Sequence, residues 1–353
     1  MKYRKHTLLA AMILALAMAI SMAAGAVPLV DGTNEAGETF SFLLAGDPQL
    51  GAGGDLEKDR AAWEHTLLMA LNAWDGIEFL VTAGDNVNSS DSEEEYEAFL
   101  GSLERVGLPL APSVGNHDNA ASYREHFNPP NQDNKKGATK AGGDYWYTWG
   151  GALFLHLNSN RTDMLAAWQH RAFIKAAIAQ NPDAVWRIAV FHHSIYSAAA
   201  GRADGSDARA RRRQYVPIFD GLGIDAVFMG HDHNYCRTEP MRGGEPDPTG
   251  ILYLTANSAS GSKYYNLAEP LPAWAAVASQ ERAPSITKVD VTPESLTVTT
   301  VRTDTFEVID AYTLLKTEKP PMEDSYAVYS IAGAAVLVIV AVAAVLLAKR
   351  RKL

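Results

Sequence analysis

Two histidines separated by one residue are the first candidates for chemistry in this chain of 353 residues. They are His231 and His233, in the segment Gly230-His231-Asp232-His233, and they follow an apolar run at 224–229 that is expected to be a buried strand. Residues i and i+2 of an extended segment project to the same face, and neutral imidazole is the commonest side-chain ligand of metal ions. A short His-x-His pair is also common as a surface feature. The metal-site interpretation therefore depends on matching ligands elsewhere.

Four other apolar runs end in side chains that could bind the same metal. The runs at 40–45, 77–83, 108–114 and 185–191 are expected to be strands, and they lead in turn to Asp47 with Gln49, to Asp85 with Asn88, to Asn116 with His117, and to His192. In an α/β sheet the carboxyl ends of strands meet along one edge, where ligands bind. Carboxylate, amide oxygen and imidazole without thiolate indicate Mn, Fe or Zn rather than a cysteine-rich structural zinc site.

Helical and hairpin patterns separate these runs. Apolar residues at helical spacing predict helices over about 55–74 and 162–180, and Ser92 with Glu95 predicts a capping box at the start of another helix. Gly150-Gly151 between two aromatic-rich runs predicts a β-hairpin. The sequence shows no internal repeat and no boundary for a second domain, so one domain is expected over 27–316.

The motifs at the strand ends resemble those of the calcineurin-like metallophosphoesterases. The resemblance covers roughly residues 38–316, and it rests on five blocks in the family's order: Gly-Asp at 46–47, Gly-Asp-Asn at 84–86, Gly-Asn-His-Asp at 115–118, His192, and Gly-His-Asp-His at 230–233. The segment 192–196 is also similar to a motif of purple acid phosphatases. The resemblance implies an α/β fold, a four-layer α/β/β/α sandwich of two mixed β-sheets flanked by helices, for a metallophosphoesterase catalytic domain at 27–316.

A pair of metal ions is the cofactor that the resemblance implies, either divalent or mixed-valence ions of Fe, Mn or Zn. Asp85 would bridge the two ions and His117, held by Asp118, would lie near the substrate as a catalytic acid. The remaining ligands would be Asp47 and His233 on the first metal, and Asn116, His192 and His231 on the second.

Hydrolysis of a small-molecule phosphoric ester by a hydroxide that bridges the metals is the implied reaction. Phosphomonoesters are favoured because of the acid-phosphatase-like segment at 192–196. One alternative is a phosphodiesterase or nucleotidase that acts on nucleotides or lipid headgroups. An alternative of another class is a catalytically weak surface receptor or scaffold that binds phosphate-bearing ligands.

Two positions depart from the family pattern, and both belong to the first metal. Gln49 stands where most relatives have histidine, and Asn88 stands where purple acid phosphatases have a tyrosine that ligates iron. Each is expected to bind the metal or to support a ligand. His193 and Tyr196 are further candidates, as substrate contacts.

The charge of the chain argues against a nucleic-acid partner. The formal net charge is −10, and seven of the 31 basic residues lie in terminal segments that contain no acid, so the part between them has a net charge of −17. Such a body repels nucleic acid. The single cysteine, Cys236, excludes an internal disulfide. The sequence does not predict an oligomeric state.

Both ends resemble targeting segments. Residues 1–26 have the basic start, apolar run and small-residue site of a secretory signal peptide, with an uncleaved anchor as the alternative. A linker at 317–326 precedes an uncharged apolar run at 327–348, which is long enough for a transmembrane helix. The basic tail at 349–353 favours a cytoplasmic C-terminus. The expected location is the cell membrane, with a single C-terminal helix as the membrane contact and the catalytic domain outside the cytoplasm.

Overall fold

The computed structural model describes residues 27–32, 37–118, 121–133 and 143–318. Its strands are β1 (Phe40–Ala45), β2 (Ile77–Thr82), β3 (Leu110–Pro112), β4 (Tyr145–Trp149), β5 (Ala152–Leu157), β6 (Trp186–His193), β7 (Ala226–Gly230), β8 (Tyr235–Thr238), β9 (Met241–Arg242), β10 (Glu245–Pro246), β11 (Leu252–Thr255), β12 (Ala275–Ser279), β13 (Ser285–Val291), β14 (Ser295–Arg302) and β15 (Val308–Leu315). Its helices are α1 (Leu56–Ala73), α2 (Glu93–Val106), α3 (Tyr123–His126), α4 (Met164–Gln180) and α5 (Ser206–Leu222).

Two large mixed sheets contain most of these strands. The first has the order β15-β14-β13-β1-β2-β3, in which β1, β2 and β3 run parallel. The second has the order β12-β8-β11-β7-β6-β5-β4, in which β11, β7, β6 and β5 run parallel. Strands β9 and β10 form a separate small ribbon.

The sheets stack face to face, with helices on their outer faces. Phe42 of β1 contacts Phe154 of β5 and Phe228 of β7, with ring centroids 5.4 Å and 6.1 Å away. The opposite face of β1, with Leu43, packs in a second core under α1 and α2, which contribute Trp63 among others. A third core lies between the second sheet and the helices α4 and α5. Because both faces of the parallel strands are covered, these strands are apolar throughout rather than alternating.

The predicted fold class is wrong in including a transmembrane helix. The described residues contain two mixed sheets with helices on both sides, and none of their helices is both long and apolar enough to cross a bilayer. The span predicted at 327–348, the basic tail at 349–353 and the signal peptide predicted at 1–26 all lie outside the described residues.

Candidate metal centre

The predicted ligands come from the ends of strands in both sheets rather than from one sheet edge. Asp47, Asp85 and Asn116 follow β1, β2 and β3 of the first sheet. His192 lies at the end of β6 and His231 follows β7, both in the second sheet. Stacking brings the two sets of strand ends together, as the contacts between their side chains demonstrate.

His192 is the centre of these contacts. Its Nε2 lies 3.1 Å from Oδ2 of Asp85, 3.1 Å from Oδ1 of Asn116 and 3.0 Å from Nδ1 of His231. Asp85, His192 and His231 also form a group whose ligand atoms could hold one metal ion. Asn116 and His231, the other two residues predicted for the second metal, thus both contact His192, as does the predicted bridging carboxylate of Asp85.

Asp47 and His233 form the corresponding pair on the side predicted for the first metal. Oδ1 of Asp47 lies 3.4 Å from Nε2 of His233 and 3.9 Å from Nδ1 of His192. The backbone N–H of His231 donates to both oxygens of Asp47, at 3.0 Å and 2.8 Å. This contact joins the end of β1 to the end of β7, across the two sheets.

Backbone carbonyls set the orientation of two imidazoles. Nδ1–H of His192 donates to the carbonyl oxygen of Ala83 at 2.9 Å, and Nδ1–H of His233 donates to that of Lys263 at 3.0 Å. Since a carbonyl only accepts, each ring carries its proton on Nδ1 and directs Nε2 toward the carboxylates. Metal-binding histidines commonly use their second nitrogen in this way.

The backbone at the site has an uncommon conformation. Eight non-glycine residues among those described have a positive φ, and five of them belong to this site: Asp47, Gln49, Asp85, His231 and His233, with φ between 38° and 76°. Residues other than glycine rarely adopt a positive φ. Those that do are concentrated at functional sites, where the surrounding structure stabilises this conformation.

Two glycines are required because the strand ends approach each other closely. A Cβ on Gly115 would overlap the backbone nitrogen and Oδ1 of Asp85. Gly84 has a φ of +82°, and a Cβ there would lie 2.9 Å from Cβ of His192. The glycines in the motifs at 84–86 and 115–118 therefore make room for the ligands themselves.

His117 lies at the site, but its predicted support by Asp118 is wrong. Nδ1–H of His117 donates to the carbonyl oxygen of Asn88 at 2.7 Å, and its backbone N–H donates to Oδ1 of Asp85 at 2.9 Å. The buried carboxylate of Asp118 instead accepts from the backbone and side-chain N–H groups of Asn86 and from the N–H of Gly115. Asp118 thus holds the loops of two motifs together.

Gln49 and Asn88, the two departures from the family pattern, contact each other. Nε2 of Gln49 donates to Oδ1 of Asn88 at 3.2 Å. The backbone N–H of Asn88 donates to the carboxylate of Glu95 on α2 at 2.8 Å. Gln49 is fully buried, whereas Asn88 is half-buried.

The two candidate substrate contacts are both buried. The ring of His193 lies 4.5 Å from that of His231, and its Nδ1 contacts the hydroxyl of Ser159 at 2.8 Å. Tyr196 packs against Tyr253 and Trp274 and lines a cavity that none of the six predicted ligands lines. Their roles as substrate contacts stay predictions.

Three residues that sequence analysis missed stand beside the histidines. Nη1 of Arg202 donates to the carbonyl oxygen of His231 at 3.0 Å, and its guanidinium lies 4.3 Å from the ring centre of Tyr265. Tyr265 in turn lies edge-on to His233 at 5.2 Å, and the ammonium of Lys263 is 5.1 Å from its ring centre. No spacing in the sequence links these positions, because they meet only in the folded chain.

A cavity of about 340 Å³ opens beside His231. Arg202, Asp232 and the start of α5 are among the residues that line it. The guanidinium of Arg202 lies at this cavity and forms an ion pair with the buried carboxylate of Asp232, 3.4 Å from its Oδ1.

Burial and paired charges shift the acidities of the ligands. Burial alone would lower the pKa of His192, but the charge and hydrogen bond of Asp85 and the charge of Asp47 raise that pKa to about 9. Burial lowers the pKa of His233 to about 3 and that of His231 well below its ordinary value. Burial raises the pKa of Asp47 well above its ordinary value, although the charge of His192 opposes this. The buried carboxylates thus need a cation, which is the protonated His192 when no metal is bound.

The donor atoms fit a metal-binding site. Nε2 of His192, Nδ1 of His231, Oδ2 of Asp85 and Oδ1 of Asn116 are electron-pair donors that converge within about 3 Å of Nε2 of His192. Oε1 of Gln49 is buried and accepts no hydrogen bond from the described residues. Converging lone pairs and an unsatisfied buried oxygen are both stabilised by a bound cation.

Comparison with known proteins agrees with this geometry. Residues 40–235, more than half of the chain, match the family model described as calcineurin-like phosphoesterase. An uncharacterized protein of Mycobacterium tuberculosis is 23% identical over 158 residues, which are 38% of this chain and 29% of that protein. Purple acid phosphatase 18 of Arabidopsis thaliana is 32% identical over 94 residues, which are 25% of this chain and 20% of that protein. The chain thus matches less than a third of the length of these relatives.

A solved structure extends the likeness in fold. The purple acid phosphatase from yellow lupin (Lupinus luteus) seeds has a TM-score of 0.63 and 14% sequence identity. The match covers 80% of this chain and 54% of the lupin protein. At this level of identity the likeness establishes a shared fold.

Proposed function

Because this chain belongs to the calcineurin-like phosphoesterase family, we propose that it hydrolyses phosphoric esters at a centre of two metal ions. One observation carries the proposal: Nε2 of His192 lies within 3.1 Å of donor atoms from Asp85, Asn116 and His231. These three residues and His192 come from four separate strand ends, those of β2, β3, β7 and β6. Asp47 and His233, whose Oδ1 and Nε2 atoms lie 3.4 Å apart, would hold the other ion.

The two ions, when bound, supply a water that is acidic at neutral pH and positive charge for the phosphoryl oxygens. In this proposal the buried carboxylate of Asp85 would hold both ions. Arg202, which lies beside His231 and is paired with Asp232, supplies N–H groups that can donate to an anionic ester.

His117 has the geometry of a general acid. Its Nδ1–H is engaged by the carbonyl oxygen of Asn88, so the proton that can reach the substrate is the second one, on Nε2 of the imidazolium. When the bond between phosphorus and the leaving oxygen breaks, that oxygen takes the proton from Nε2 and leaves as an alcohol. The attacking water forms the new bond to phosphorus through its oxygen and releases one proton, and this proton balances the one that Nε2 of His117 gave to the alcohol.

Phosphomonoesters are the favoured substrates in this proposal. The acid-phosphatase-like segment at 192–196 and the match to a purple acid phosphatase of Arabidopsis support this choice. Phosphodiesters, including nucleotides and lipid headgroups, are the alternative substrate class.

A two-substrate assay tests the proposal. The full chain, loaded with Mn, Fe or Zn, is incubated with p-nitrophenyl phosphate and with bis(p-nitrophenyl) phosphate. We expect faster cleavage of the monoester, and loss of cleavage on Asp85→Asn. If the metal-loaded chain cleaves neither substrate and Asp85→Asn leaves its metal content unchanged, the hydrolytic function is refuted.

A catalytically weak receptor or scaffold for phosphate-bearing ligands is the second candidate. It is favoured by one observation: Gln49 and Asn88, which replace metal ligands of relatives, hydrogen bond to each other at 3.2 Å. The same assay separates the two candidates, because a scaffold would retain binding of inorganic phosphate without turnover of either ester.

A further inference from the structure

The side-chain oxygen of Gln49 lacks a partner although the residue is fully buried. Oε1 accepts no hydrogen bond from the described residues. The other end of the amide is fixed, because Nε2 donates to Oδ1 of Asn88 at 3.2 Å. The oxygen must therefore face away from Asn88. A buried carbonyl oxygen in this position needs a donor or a cation.

Gln49 also belongs to the site by its backbone. Its φ of 38° is close to the 40° of Asp47 and the 49° of Asp85. Its N–H donates to the carbonyl oxygen of Asp85 at 2.7 Å. The backbone of Gln49 thus has the same uncommon conformation as that of Asp47 and Asp85. It is also hydrogen bonded directly to Asp85, the residue proposed to bridge the metals.

We propose that Oε1 of Gln49 ligates the first metal ion and makes the two metal sites differ in metal preference. The first site would then have oxygen donors from Asp47, Asp85 and Gln49 and one imidazole, from His233. The second has oxygen donors from Asp85 and Asn116 and two imidazoles, from His192 and His231. Oxygen donors suit Mn²⁺, whereas imidazole suits Zn²⁺ and Fe²⁺. This inference rests on the proposed binuclear function.

Asn88 is a positioning residue in this arrangement. Its Oδ1 accepts from Gln49, and its backbone N–H is anchored to Glu95 of α2 at 2.8 Å. It orients the amide of Gln49 so that the oxygen is free for the metal.

The two sites are expected to differ in the ratio of their affinities for Zn²⁺ and Mn²⁺, although both can bind Zn²⁺ more tightly. Most sites bind Zn²⁺ more tightly than Mn²⁺, so an excess of Zn²⁺ would fill both sites. At matched free concentrations, the preference for Zn²⁺ over Mn²⁺ should be about tenfold or more weaker at the first site than at the second.

Metal content measures this ratio directly. The full chain is equilibrated against buffers that fix free Mn²⁺ and Zn²⁺, and the bound metals are counted by mass spectrometry, with Mn²⁺ also followed by electron paramagnetic resonance. We expect a range of buffers in which the chain holds one Mn²⁺ and one Zn²⁺. Gln49→His, which supplies an imidazole, should replace that Mn²⁺ by Zn²⁺. Gln49→Glu should retain it and bind it about tenfold more tightly.

Gln49→Met provides the matched removal of the oxygen at similar volume. It should weaken the first metal by about tenfold or more while leaving the second unchanged. Unchanged affinities for both metals in a folded Gln49→Met chain, or one Mn²⁺ and one Zn²⁺ still bound in Gln49→His, would overturn the inference. These experiments measure bound metal and do not depend on esterase activity. A chain that selects its metals as described but cleaves no ester would refute the proposed function alone.

Discussion

Nδ1–H of His117 donates to the backbone carbonyl oxygen of Asn88 at 2.7 Å. The carbonyl belongs to a loop that Glu95 anchors through the N–H groups of Asn88 and Ser89, at 2.8 Å and 2.7 Å. The proton on Nδ1 of His117 is therefore held by a fixed acceptor, and Nε2 is the ring nitrogen left for a substrate. In the proposed mechanism, Nε2 of the imidazolium transfers its proton to the leaving group.

Replacing His117 is expected to slow turnover without removing metal. His117→Ala should lower kcat by about 10²–10⁴-fold for an alkyl phosphate, because the leaving alkoxide then lacks its proton donor. The loss should be smaller for p-nitrophenyl phosphate, whose leaving group is stable as an anion. Steady-state kinetics on both esters, with metal content determined in parallel, measure the difference.

His65→Gln is the matched control for this prediction. His65 is exposed and contacts the carbonyl oxygen of Thr303, outside the site. The control should keep the rates of the unmodified chain on both esters. Equal losses on both esters in His117→Ala would contradict a role in protonating the leaving group.

Metal loading is expected to release a proton from His192. Asp85 and Asp47 outweigh burial and raise the pKa of His192 to about 9, so the metal-free chain carries this proton at pH 7. A metal ion must displace it, and the apparent affinity should weaken about tenfold for each unit by which the pH falls, per proton released. Above pH 9 the proton is already lost, so the release should decline there.

Calorimetry in two buffers of different ionisation enthalpy measures this proton release. The release should decrease between about pH 8 and pH 10. A release that stays constant over this range would show that the metal does not compete with a proton at His192.

The ligand motifs were predictable from the sequence because each is a local pattern. An apolar strand, a glycine and a ligand follow one another at Asp47, Asp85 and His231, and the structure places these residues together. Their division between two sheets was not predictable from spacing, since it depends on how distant strands pair. The arrangement of two stacked mixed sheets was predicted only from the family resemblance.

Sequence analysis did not predict the contacts that form only when the chain folds. The family resemblance implied that Asp118 supports His117. The partner of His117 is instead the backbone carbonyl of Asn88, and a backbone carbonyl is not indicated by any residue type. Arg211 is one of four arginines at positions 209–213, and such a concentration of charge is typical of a solvated helix face. It is only 4% exposed, and its Nε donates to the carbonyl oxygen of Ser159 at 2.9 Å.

The start of helix α2 combines a contact that the sequence predicts with one that it does not. Ser92 and Glu95 predict a capping box, and the hydroxyl of Ser92 does accept from the N–H of Glu95 at 3.3 Å. The carboxylate of Glu95, however, accepts from Asn88 and Ser89. The local pattern located the start of the helix, while the loop of the site determined where this carboxylate binds.

His156 is expected to make the fold sensitive to acid. Burial lowers the pKa of this fully buried histidine to about 3, whereas its ordinary value of about 6.5 applies in the unfolded chain. Between these values the unfolded chain binds the additional proton, so stability rises with pH and is lost as the pH falls below 6.5. From pH 6.5 to 5 this loss should be roughly 2 kcal/mol.

Chemical unfolding of the metal-free chain between pH 5 and 7 tests the role of His156. His156→Gln should reduce the pH dependence of the unfolding free energy, because glutamine does not titrate. His65→Gln, at an exposed position, should leave it unchanged. The same pH dependence in both variants would contradict a buried neutral His156.

Gly115 is expected to be necessary for the position of Asp85. The Cβ of Gly115→Ala would overlap Oδ1 and the backbone nitrogen of Asp85, so the carboxylate proposed to bridge the metals must move. We expect loss of at least one metal ion per chain and a decrease in the free energy of unfolding of about 1–3 kcal/mol.

Gly101→Ala is the matched control, since Gly101 lies within α2 and a Cβ there meets no atom within 4 Å. That variant should keep both metals and gain up to about 1 kcal/mol from the higher helix propensity of alanine. Metal content and denaturant unfolding of the two variants give the comparison, and full metal content in Gly115→Ala would show that Asp85 does not depend on this close approach.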